Sequence, residues 1–143
     1  MDIATEEHEQ AVARAYEKAM SAIRLEQPIS DELRLIHNVE HMMQEANSGA
    51  SFEQYFRWAS LDEVREIQGQ LTSIGLTDVA AIVERAMAIA FPNGLPSSEE
   101  AKQEAVDWRP EQESELGDLF EALEELNGRV MDVLGAYALR VGA

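Results

Sequence analysis

Apolar residues recur along this chain at intervals of three and four, the spacing that gathers them on one face of a helix. Ala11, Ala15, Ala19 and Ala22, with Val12, Tyr16 and Ile23, predict a first helix from about Thr5 to Glu26, ended by Pro28. Ser30-Asp31-Glu32 reads as a new N-terminus, and Leu33, Ile36, Val39, Met42 and Met43 continue a second helix that Asn47-Ser48-Gly49 stops. An aromatic segment follows, with Phe52, Tyr55 and Phe56 at positions suited to anchoring a short helix in a core, and Trp58 beyond. Ser60 and Glu63 form a capping-box pattern before Leu61, Val64, Ile67, Leu71 and Ile74, and Gly75 is placed as the residue that ends that helix. Thr77 is the expected cap of a helix bearing Val79, Ile82, Val83, Ala86, Met87 and Ala90.

Pro92-Asn93-Gly94-Leu95-Pro96 is a loop. Ser97 with Glu100 makes a second capping-box pattern, and that helix should end near Trp108, because Pro110 disfavours helical backbone at Arg109. Glu111 to Val141 predicts one long amphipathic helix, or two broken at Asn127-Gly128. There is no strand-like alternation, internal repeat or Gly-Ser linker. The expected fold is all-α: a bundle of six or seven helices in a single domain, residues 1–143.

Charge changes the picture. Among 143 residues, 28 are Asp or Glu and 11 are Lys or Arg, for a formal net charge of −17. Such a chain repels nucleic acid and anionic lipid and attracts basic surfaces, in a salt-dependent way. Hydrophobic residues make up 45%, too many for a disordered acidic tail. No cysteine is present, which excludes disulfides and thiolate metal sites. The first residues, Met1 to Glu7, are acidic and unlike a secretion signal, and no apolar run is long enough to span a bilayer. A cytoplasmic protein is the expectation.

The acidity is directional. On a helical wheel Leu116, Leu119, Phe120, Leu123, Leu126, Val130, Leu134 and Tyr137 gather on one side. Glu111, Asp118, Glu121, Glu125 and Asp132 gather on the other, flanked by Glu115 and Glu124. A continuous helix from Glu111 to Asp132 would rise roughly 32 Å and carry about one acid per 4 Å. One DNA strand carries about one phosphate per 3.4 Å of axis. Glu99, Glu100 and Glu104 would extend the surface. The plainer alternative is a solvated helix face, and Gly117, Gly128 and Gly135 weigh against one straight rod.

The segment Asn47-Ser48-Gly49-Ala50-Ser51-Phe52-Glu53-Gln54-Tyr55-Phe56 resembles the Asn-x-Gly-Gly-Phe-x-Gln-aromatic-aromatic signature of the DNA mimic protein 19-like domain family, also known as domain of unknown function 4375. Leu71 to Leu76, Ala80-Ala81-Ile82 and Ala86 to Pro92 are similar to that family's next helix pair, and the resemblance spans roughly residues 30 to 140. It implies an all-helical fold, an acidic surface and often a dimer. It also implies, from at least one member, a protein that occupies the DNA-binding surface of a transcription factor. The loop departs from the family pattern, with Gly49-Ala50-Ser51 before Phe52 and Arg57-Trp58-Ala59-Ser60 after the aromatics. In physical terms Gly49 is expected to supply a positive φ, and Gln54 to satisfy loop backbone groups.

Signals for chemistry are sparse. His37-Asn38-Val39-Glu40-His41 matches the H-x-x-E-H pattern of inverted zinc proteases, with both histidines on one helix face. Catalytic zinc needs a third protein ligand and an open position, and the sequence alone identifies neither. The histidines are therefore read as surface or interhelical residues, and His8 as isolated and exposed. Met20, Met42, Met43, Met87 and Met131 are read as core. No catalytic residue, metal or cofactor is expected. The expected function is an acidic module, without enzymatic activity, that docks on a basic protein such as a DNA-binding protein and does not itself bind nucleic acid or membrane. Its candidate contacts are Glu111, Glu115, Asp118, Glu121, Glu124, Glu125 and Asp132. The alternative is an interaction protein whose acidity gives only solubility and which binds through an apolar patch near Trp58 or Trp108.

Overall fold

The computed structural model describes residues 3–142, so Met1 and Asp2 of the acidic N-terminal stretch lie outside it. Among the described residues there are eight helices and no strand. They are α1 (Ile3–Arg24), α2 (Asp31–Gly49), α3 (Glu53–Trp58), α4 (Leu61–Ser73), α5 (Thr77–Ala90), α6 (Glu99–Ala105), α7 (Pro110–Glu124) and α8 (Asn127–Val141). The all-α expectation holds. The count exceeds six or seven because the last segment is two helices, broken at Glu125 and Leu126.

Serine hydroxyls set three N-termini, each accepting from the free backbone N–H three residues on. Ser30 accepts from Leu33 and Ser60 from Glu63. At α6 the capping serine is Ser98, which accepts from Ala101, and not Ser97 as the spacing suggested. Glu63 does not complete the box at α4, because its carboxylate is taken by His41. The next free donor of that first turn, the Leu61 N–H, donates to Glu99 Oε1. Thr77 is not a cap but the first residue of α5, after Leu76.

Three helices end in the same paired backbone pattern, with a residue in left-handed conformation just past the end. At α4 that residue is Gly75 at φ 85°, as expected. At α1 it is Glu26 at φ 55°, so the chain turns two residues before Pro28. At α2 it is Ala50 at φ 50°, and not Gly49, which is the last residue of the helix. Gly49 gives room instead: a Cβ there would lie 3.0 Å from Gln54 Cβ, a tight contact that the Gln54 side chain would have to relieve.

The core is continuous through the bundle. Phe52, Tyr55 and Phe56 are fully buried, and each phenylalanine is worth about 1.5–3 kcal/mol in transfer from water. The α1 stripe packs on α8 and α2, α2 also meets α3 and α4, α4 meets α5, and α5 meets α7. The start of α7 is fixed by two side chains that satisfy the last carbonyls of α5. Trp108 Nε1 donates to Ala90 O at 3.1 Å and Gln112 Nε2 to Ile89 O at 3.0 Å. Gln112 Oε1 also accepts the Arg109 N–H at 2.9 Å, closing the first turn. Of the methionines read as core, Met42 and Met43 are buried, while Met20 is exposed.

Candidate acidic interface

The apolar stripe of α7, Leu116, Phe120 and Leu123, faces α5 and the core, which forces the opposite side outward. Glu111, Glu115, Asp118, Glu121, Glu124 and Glu125 are all exposed. Among the described residues none of the six makes an ion pair, whereas Asp78, Glu66, Glu63, Glu53 and Asp132 each have a basic or imidazole partner. Two of the three bases of the surrounding sequence are engaged elsewhere, and the third, Arg109, stands exposed at the first turn of α7. Lys102 is fully buried and donates from Nζ to Phe56 O (2.7 Å) and Arg57 O (3.2 Å), at the C-terminal end of α3. Burial pushes its pKa down. Arg129 holds Asp78 at 2.8 Å and Gly75 O at 3.3 Å.

The single rod from Glu111 to Asp132 does not form. The chain leaves helical geometry at Leu126 (φ −101°, ψ 3°), just before Asn127-Gly128, and α8 then packs on α1 and α2 while α7 packs on α5. Asp132 therefore belongs to the α1–α8 seam, where His8 Nδ1 lies 3.2 Å from its Oδ1. His8 is half-buried there, not isolated. Of the extensions, Glu99 caps the start of α4, while Glu100 and Glu104 stay exposed. What remains is α7 itself. From Glu111 to Glu125 it rises about 21 Å and carries seven acids counting Glu113, about one per 3 Å. Glu113 sits at the flank, where it meets Glu53 of α3. The Glu53 carboxyl is pushed up, first by its own burial and then by hydrogen bonding and repulsion from Glu113.

The sequence profile of the DMP19-like proteins matches residues 27–141. The chain belongs to the DMP19-like protein family. No curated protein and no solved structure gives a significant match. The family match runs from just before α2 through α8, so it contains the whole acidic face and leaves out α1. Within it, the Asn47–Phe56 signature is architectural: its three aromatics are core, and Gln54 Nε2 donates to Glu45 Oε2 at 2.8 Å, not to loop backbone. Trp58, just beyond, is 71% exposed, whereas Trp108 is buried.

A second cluster lies between helices. His37 and His41 of α2 take the interhelical of the two places the sequence allowed, and what the sequence did not name is their partner Glu63. The His37 ring stacks on Tyr16 of α1, with centroids 5.4 Å apart and planes 8° apart. His41 Nδ1 lies 2.7 Å from Glu63 Oε2 of α4, and its Nε2 lies 3.5 Å from Glu45 Oε1. The Glu63 hydrogen bond raises the His41 pKa against the opposing effect of burial. Glu40, the glutamate of the H-x-x-E-H pattern, takes no part in this cluster. It lines a separate cleft between α2 and α8. Glu63 lies twenty-two residues beyond His41, so no local pattern could have announced it.

Proposed function

We propose that this protein acts by charge complementarity, presenting the outer face of α7 to the basic DNA-binding surface of a protein partner and excluding DNA from it. The observation that carries the reading is the row of exposed carboxylates on α7, none of which makes an ion pair among the described residues. A charge with an internal partner projects little field, while an unpaired row on a rigid helix projects outward. Family membership supports the same reading. The linear density of acids on α7 is close to that of phosphates along one DNA strand. The mechanism needs no cofactor and no chemistry. Long-range attraction raises the encounter rate, and close matching of charges then fixes register.

The test is capture of partners from a bacterial lysate at about 50 and 300 mM salt, repeated with Asp118, Glu121 and Glu125 all changed to lysine. The expected result is salt-sensitive capture of a DNA-binding protein, abolished in the triple variant and competed by duplex DNA. Capture that survives both the salt and the reversal would sink the reading. Loss of capture in Trp58→Ala would then point to the exposed tryptophan as an apolar contact.

A further inference from the structure

His37 and His41 stand one helical turn apart on α2, and α4 crosses that turn with Glu63. One ring nitrogen of each histidine and a carboxylate oxygen of Glu63 lie within 4.8 Å of one another. The geometry points to a site for a zinc-class divalent ion, held by His37, His41 and Glu63, that clamps α2 to α4. Two imidazoles and one carboxylate are a donor set that zinc accepts, leaving a fourth position for water. Metal–ligand bonds of about 2.0–2.2 Å put tetrahedral donors about 3.3 Å apart. The cluster thus needs contraction on the His37 side, where donors lie up to 4.8 Å apart, and a slight opening of the 2.7 Å His41–Glu63 contact.

The surroundings favour a metal over a mere hydrogen-bonded histidine. A ligating imidazole donates its other N–H to an acceptor that fixes ring and tautomer. His37 meets that condition. Its Nδ1 lies 2.9 Å from Asn38 Oδ1, so the proton belongs on Nδ1 and the Nε2 lone pair is free. Asn38 is itself held, donating from Nδ2 to Gln70 Oε1 at 3.0 Å. His41 has an acceptor within reach: with the metal on the Glu63 side, its other nitrogen lies 3.5 Å from Glu45 Oε1. The metal takes the position of the proton now shared by His41 and Glu63, and that proton leaves to solvent. A surface cleft of 450 Å³ reaches His37 and Glu63 and gives an entry path. Glu40 is turned toward α8 and is not placed to activate a metal-bound water. The site is accordingly a structural or regulatory clamp, and not the protease centre that H-x-x-E-H suggests. The proposal departs here from the sequence-based expectation of no metal.

The experiment is calorimetric titration of chelator-stripped protein with ZnCl₂, in excess Mg²⁺ so that the general acidic surface is already occupied. The expected result is one saturable site per chain. Glu63→Gln, which keeps an oxygen facing His41 but removes the charge, should weaken it at least tenfold, and His41→Ala likewise. Asn38→Ala, which touches no metal, should weaken it about tenfold by freeing the His37 ring. Co²⁺ in place of zinc should give the visible absorption of a four-coordinate ion, lost in Glu63→Gln. Circular dichroism checks folding. If His41→Ala does not fold, the Glu63→Gln result decides. Zinc affinity unchanged in Glu63→Gln, or only several weak sites in the wild type, would overturn the assignment. The triple lysine variant of α7 should bind zinc as the wild type does, so this result stands apart from the fate of the acidic-interface reading.

Discussion

Single residues carry the strain and the exceptions here. Ala50 occupies left-handed backbone at φ 50° and ψ 36°, which costs an L-residue roughly 1 kcal/mol that glycine avoids. Ala50→Gly should therefore raise stability by about 0.5–1 kcal/mol despite the added freedom of the unfolded chain, read from urea midpoints at unchanged m. A drop in midpoint would mean that the Ala50 methyl contributes more than its strain costs. The Glu53–Glu113 contact makes a pH prediction. Glu53 titrates above its ordinary 4.5, so the folded state holds that proton more tightly than the unfolded state. The contribution is present below about 4.5 and lost as pH rises through the folded value. Glu113→Gln removes the facing charge, so the variant should lose less stability than wild type between pH 4.5 and 7, measured by thermal melts across that range. Parallel profiles would show that burial alone raises Glu53.

At the scale of helices, the α1–α8 seam is closer than ordinary side-chain packing permits. A Cβ on Gly135 would fall 2.3 Å from His8 Cβ and 2.6 Å from His8 Cα. The second of these is backbone, so no rotamer relieves it and the helices must separate. Gly135→Ala should cost about 1–3 kcal/mol in denaturant unfolding, against the gain of about 1 kcal/mol usual on replacing a glycine inside a helix by alanine. A gain would show that the seam is soft. The same glycine, read from sequence as a weak point in a rod, is an approach point between helices. The break between α7 and α8 likewise follows from packing. Leu116 to Leu123 seat on α5, whereas Val130 to Ala138 seat on α1 and α2, and one straight helix cannot reach both. The acidic face is thereby confined to α7, and the proposed interface is tested by Asp118, Glu121 and Glu125 alone. Their joint reversal to lysine should abolish partner capture while leaving helix content unchanged, because all three side chains point away from the core.

For the whole molecule the governing number is −17. Among the described residues no helix is long and apolar enough to cross a membrane. Net charge of this size sets the folded state against itself, since like charges are closer together when folded than when unfolded. Raising salt from about 10 to 200 mM shortens the screening length from about 30 Å to below 10 Å and should raise the melting temperature by several degrees. The α7 lysine variant, six charge units less negative, should show a smaller rise. An insensitive melting temperature would mean that local pairings such as Arg129–Asp78 already offset the repulsion. This salt response opposes that of partner capture, so the two can be separated in one set of buffers.

Sequence alone determined the helical class, most helix ends and the aromatic core, because these rest on residues within four positions of one another. Ser30, Ser60 and Gly75 act only on neighbouring backbone, and the i, i+3, i+4 stripes specify a buried face whatever that face meets. It also determined that α7 is acidic on its outer side. Tertiary structure decided everything that depends on residues far apart in the chain: Lys102 withdrawn into the end of α3, Arg129 drawn to Asp78, Asp132 turned to His8, and Glu63 brought to His37 and His41. A charge counts toward a surface, and a histidine toward a site, only once the folded chain has settled what stands within about 4 Å of it, and distance through space is the one quantity that a linear pattern does not contain.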